Sequence, residues 1–110
     1  GLLENATAMG ARLRAGLEEI RERQPLVGDV RGMGLMQGVE LVTDRATKEP
    51  AAAATQRLLE ETRRRGVLIG KGGLYGNVLR IAPCLNIGVA DVDAFLALFD
   101  ESITAVAAGS

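Results

Sequence analysis

VGDVRGMGLMQGVELV, Val27 to Val42, is rich in β-branched residues and glycine and carries no helical period. It therefore reads as two strands joined by a turn around Gly32 to Gly34. In the second strand Leu35, Gln37, Val39 and Leu41 face one way, and Met36, Gly38, Glu40 and Val42 the other. Both faces are partly apolar, so both are expected to be covered.

Upstream, apolar residues fall at Leu3, Ala6, Met9, Leu13, Leu17 and Ile20, the three-and-four spacing of one helical stripe over Leu3 to Arg23. Arg21 and Arg23 suit the dipole of its last turn, and Pro25 stops it. Downstream, Thr43 to Pro50 reads as a polar loop, with Pro50 in the first turn of a helix that runs from Ala51 to Arg65. Its inner face carries Ala51, Ala54, Leu58 and Thr62, and Gly66 ends it in a left-handed conformation. Val67 to Ile69 reads as a short strand, Gly70 to Asn77 as a mobile glycine-rich loop, and Val78 to Ile81 as a further strand. Gly88 caps a last helix whose stripe is Val92, Phe95, Phe99, Ile103 and Val106, with Asp91 in its first turn.

The order α-β-β-α-β-β-α predicts an α+β domain over residues 1–110. It has a small, mostly antiparallel sheet of three to four strands with helices packed on one face. The second sheet face would expose Val, Met and Leu unless another domain or chain covers it. Because Gly1 stands where a start methionine would and a helical pattern begins at once, the chain reads as cut from something longer.

Composition removes several classes of function. The 110 residues carry a net charge of −1, no histidine and 3% aromatic residues, so there is neither a basic field nor a stacking platform for nucleic acid. One cysteine, Cys84, allows no internal disulfide and no thiolate metal cluster and fits a reducing, cytoplasmic setting. No apolar run approaches the roughly 20 residues of a membrane helix, and no secretory pattern opens the chain.

Motifs that invite a catalytic reading fail on spacing. Gly32 to Gly38 lacks the third glycine of a dinucleotide fingerprint and is followed by a strand, and Gly70 to Gly73 lacks the upstream glycine and the hydroxyl of a phosphate loop. Carboxylates scattered on helix faces give no metal site. Without histidine no His-based triad is available, and Ser102 and Ser110 lie far along the chain from both lysines. Glu18, Glu19, Glu22, Glu60 and Glu61 alternate with arginines as solvated helix faces, and Cys84 reads as a small packed residue.

Arg80 differs in kind, because it is embedded in the apolar strand VLRI. Alternation puts Leu79 and Ile81 on one face and Val78 and Arg80 on the other, so Arg80 looks away from the core if helices cover Leu79. Its planar guanidinium matches a carboxylate; from spacing alone that carboxylate is either a structural partner or a substrate.

Taken in order, VGDVRGMGLMQGVEL, RRRGVLIGKGG and NVLRIAPCLNI resemble the C-terminal small domain of class III aminotransferases, pyridoxal-phosphate enzymes of fold type I. The similarity runs over nearly the whole chain, and its specific parts are Val27 to Leu41 and the Arg-x-x-Pro at Arg80 to Pro83. Many members have two prolines where this chain has Pro83 then Cys84.

The resemblance implies a dimeric parent enzyme that exchanges an amino group between an amino acid or amine and a 2-oxo acid. The cofactor pyridoxal 5'-phosphate, its lysine and its phosphate loops would belong to a large domain outside this chain, with neither Lys48 nor Lys71 in the place of that lysine. The chain alone is then expected to be inactive and to bind no cofactor. Arg80 matches the arginine that in many members engages the substrate carboxylate; Arg31, Gly32 and Gly34 match a recurrent Arg-Gly-x-Gly read as turn and interdomain packing. The alternative is a stand-alone interaction or small-ligand module that associates with itself through its open sheet face.

Overall fold

The computed structural model of the protein describes residues 1–66, 69–73 and 75–109. Three helices, α1 (Leu2–Arg23), α2 (Ala52–Arg64) and α3 (Val89–Ala108), alternate with strands β1 (Val27–Met33), β2 (Met36–Asp44), β3 (Glu49–Pro50), β4 (Gly70–Gly72) and β5 (Val78–Ile81). The sheet runs β1-β2-β5-β4, entirely antiparallel, with β3 added on β2. This is the predicted α+β arrangement with a fifth, two-residue strand.

All three helices pack on one side. Leu13, Leu17 and Ile20 of α1, Leu58 of α2 and Phe99 and Ile103 of α3 close over Val39 and Leu41 of β2 and Leu79 and Ile81 of β5. Phe95 stacks on Phe99, ring centres 5.4 Å apart. The α1 stripe holds from Ala6 to Ile20, but Leu3 is 79% exposed.

Residues 34 and 35 make a two-residue turn between the paired Met33 and Met36. Gly34 takes φ +57 and Leu35 does not turn positive, as a II′ hairpin requires. Leu35, predicted in the strand, instead turns beneath the hairpin into the core. The turn also touches α1: a methyl group on Gly10 would sit 3.0 Å from the Gly34 Cα and overlap its carbonyl group.

Two segments depart from the expected loops. Strand β2 continues to Asp44, and Glu49–Pro50 folds back on it, so Thr43 to Pro50 is a hairpin. Asp44 Oδ1 accepts from Ala46 N at 2.7 Å, and the Lys48 amide reaches Asp44 O at 2.8 Å. Pro50 lies before the helix instead of in its first turn, and α2 is capped by Ala51.

The glycine-rich segment after α2 is not all loop: Gly70–Gly72 pairs with β5. Glycine lowers strand propensity, and only the waiting edge of β5 overrides it. The strand predicted at Val67 to Ile69 falls mainly on Val67 and Leu68, outside the described residues. Gly66 does end α2 with φ +90.

Polar ties fix the helices to one another and to the sheet. Arg12 donates twice to Asp93, each bond 2.8 Å, joining α1 to α3. Arg23 and Gln24 share the Asp100 carboxylate at 2.8 and 3.0 Å. The Arg45 guanidinium donates to the carbonyls of Arg21, Gln24 and Val27, satisfying the C-terminal end of α1 from the β2–β3 turn.

Two measurements test this packing. Gly10→Ala should lower unfolding stability by about 1–3 kcal/mol, the usual penalty of overpacking, as read by urea denaturation; an unchanged midpoint would mean that the turn does not rest on α1. The hydrogen bond from Arg12 is the main cause of an Asp93 pKa below its ordinary value, with burial opposing. A depressed carboxyl stabilises above its unfolded pKa, about 3.9, and that contribution fades as pH falls through the lower folded value. Asp93→Asn should therefore flatten the acid side of the stability curve, and identical acid slopes in the two proteins would count against the tie.

Candidate functional site

The register of β2 against its neighbours assembles the site. Arg31 pairs with Gly38, Gly38 with Arg80, and Arg80 with Gly70, so these four residues form one row across β1, β2, β5 and β4. Directly paired residues share a face, and Leu79 and Ile81 are buried under the helices, so the row lies on the helix-free side. The next row on that face is Asp29, Glu40, Val78 and Gly72. Met33 and Met36 form its far end, 87% and 69% exposed.

The two arginines of the row are in opposite electrostatic states. Arg31 bonds Asp29 at 2.9 Å and approaches Glu40 at 3.5 Å. The bond to Asp29 chiefly, and the charge of Glu40 after it, hold the guanidinium above its ordinary pKa. Arg80 is exposed and, among the described residues, its side chain meets no carboxylate and makes no hydrogen bond. Its neighbours across both strands are glycines, so the side chain stands in a channel floored by backbone.

The strand that carries Arg80 is held at both ends. Before it, buried Asn77 donates Nδ2 to Leu41 O at 2.9 Å while the Leu41 amide donates to Asn77 O at 2.8 Å. After it, Asn5 of α1 donates to the carbonyls of Leu85 and Ile87 at 2.8 and 2.9 Å. A fixed backbone with a free guanidinium can receive a planar anion in a defined place.

Sequence reasoning placed Arg80 on the outward face, and the structure agrees. It missed the company Arg80 keeps, since Gly38, Gly70 and Gly72 join it only through cross-strand register. The Asp29–Arg31 pair did have a signal, because residues two apart on a strand share a face. The outward face was expected to be covered; Val42 at its β3 end is buried, whereas Met33, Met36 and Arg80 remain exposed among the described residues. Cys84, expected to be packed, is exposed in the segment after β5. Lys71 faces the helices and donates to Gln56 of α2 at 3.2 Å, while Lys48 lies at the β2–β3 turn beside a groove of about 480 Å³ shared with Glu40 and Tyr75. Among the described residues no cluster could hold a metal ion, and no helix is long and apolar enough to cross a membrane.

Comparison with known proteins gives a consistent result. The profile of the family described as Aminotransferase class-III matches residues 1–103. An Arabidopsis thaliana protein named alanine–glyoxylate aminotransferase 2 homolog 2, mitochondrial, is 46% identical over 94% of this chain and 22% of its own length. A taurine–pyruvate aminotransferase of Bilophila wadsworthia is 44% identical over 96% of this chain and 24% of its own. Among solved structures, a Bacillus anthracis aminotransferase superposes with a TM-score of 0.89 at 33% identity, covering 94% of this chain and 24% of that one. The chain thus spans about a quarter of the length of these relatives.

Replacing both exposed methionines, Met33→Lys with Met36→Lys, should reduce binding of an apolar dye to the isolated chain without shifting its thermal midpoint. A dye signal that persists undiminished would place the main apolar surface elsewhere.

Proposed function

This chain belongs to the class III aminotransferase family, and from that premise we propose that it is the C-terminal small domain of an enzyme moving an amino group between an amino acid or amine and a 2-oxo acid. In the complete protein its helix-free sheet face covers the active site, and Arg80 receives the substrate carboxylate. The observation that carries this reading is the state of Arg80: exposed, held by a clamped strand, and the arginine of its row left without a carboxylate among the described residues.

Pyridoxal 5'-phosphate, the cofactor of this family, supplies the electron sink for amino transfer when bound. The residues described here do not build its seat: Lys71 is turned to the helix side and Lys48 lies at a hairpin turn, away from the row of Arg80. The cofactor is therefore assigned to the large domain, and the isolated chain is read as inactive. The work of this domain is to bind and orient. A guanidinium fixes a carboxylate through two parallel N–H···O bonds, and excluding water strengthens the pair.

The exposed methionines also suit a module that associates with itself. The quarter-length match favours the remainder of the same enzyme as the cover.

The test uses the full-length enzyme. Removing a charge-assisted hydrogen-bonding partner costs about 1.5–3 kcal/mol, so Arg80→Ala should raise KM for an oxo acid such as pyruvate by roughly 10- to 100-fold. KM for a carboxylate-free amine donor should stay within a factor of about two. An unchanged KM for pyruvate would reduce Arg80 to a structural charge.

A further inference from the structure

Gly72 stands diagonally across from Arg80 on the same open face, two pairs along from Gly70. Five other glycines take positive φ and are explained by backbone alone; Gly72, Gly70 and Gly38 are not among them. Space separates these three. A methyl group on Gly38 would find its nearest neighbour at 3.5 Å, and one on Gly70 at 3.6 Å, both ordinary contacts. At Gly72 the same methyl would lie 2.7 Å from both Cζ and Nη2 of Arg80 and closer still to Nε. The guanidinium occupies the volume that any side chain at position 72 would take.

We propose that Gly72 is a positioning residue for substrate binding: its missing side chain leaves a seat on which the Arg80 guanidinium lies against β4, in the place from which it receives a carboxylate. The inference rests on the reading of Arg80 as the carboxylate-binding residue. A seated arginine has fewer rotamers to lose on binding, which is the usual gain from preorganisation. Substitution at Gly72 displaces the arginine without breaking the fold. The atoms in the way are the far end of a flexible side chain, and the backbone of Gly72 is one that alanine can adopt.

The experiment compares Gly72→Ala, Arg80→Ala and the double variant of the full-length enzyme, with pyruvate as acceptor and a carboxylate-free amine as donor. Gly72→Ala is expected to raise KM for pyruvate by about tenfold while KM for the amine and the circular dichroism spectrum are retained. In the Arg80→Ala background the same change is expected to add nothing, since the group it displaces is gone. If Arg80→Ala raises KM but Gly72→Ala does not, the seat is refuted and the reading of Arg80 stands. Effects that multiply in the double variant would also refute it, because a merely structural role acts whether or not the arginine is present. An Arg80→Ala enzyme with unchanged KM would overturn the reading of Arg80 and the seat with it.

Discussion

Strand β2 is the member on which the rest of the sheet depends, because β1, β3 and β5 all pair with it. Its inward residues Val39 and Leu41 are fully buried under the helices, and this burial fixes the register of every partner. A slip of β5 by one residue against β2 would turn Leu79 to the open side and Arg80 into the core. Burying an unpaired guanidinium among Leu58, Phe99 and Ile103 would cost several kcal/mol after relaxation. The outward direction of Arg80 is thus enforced by the hydrophobic core on the opposite face.

The polar ties complete that constraint at places the core does not reach. Arg45 holds the β2–β3 turn against the end of α1, and Asn77 and Asn5 hold the two ends of β5. Asn5 is the most informative of these, because it joins the first helix to the segment that follows Arg80, 80 and 82 residues away in sequence. The N-terminal helix therefore does more than cover the sheet: it also sets the path of the chain leaving the site.

Much of this was legible in the sequence where periodicity is strong. The stripe of α1, the stripe of α3 and the alternation of β2 and β5 all rest on burial of one face, which leaves a mark in the pattern of apolar residues. Strands β3 and β4 left no such mark. Glu49–Pro50 and Gly70–Gly72 contain nothing with strand propensity and pair only because a completed edge is presented to them. The site followed the same division. Arg80 announced itself as a charge in an apolar strand, whereas its glycine surroundings are set by register, a long-range property that no local window contains.

The division of charge on the open face carries the argument one step further. Two carboxylates, Asp29 and Glu40, both serve Arg31, and the residue beside Arg80 in the second row is Val78. Paired with two acids, the Arg31 charge is more than matched, so that corner of the face has no unmet need for an anion. Arg80, flanked by valine and glycines, keeps its charge unspent. On the proposed reading of Arg80, an unneutralised guanidinium beneath a covering domain would be unfavourable until an anion arrives, which is the physical reason for expecting a carboxylate there.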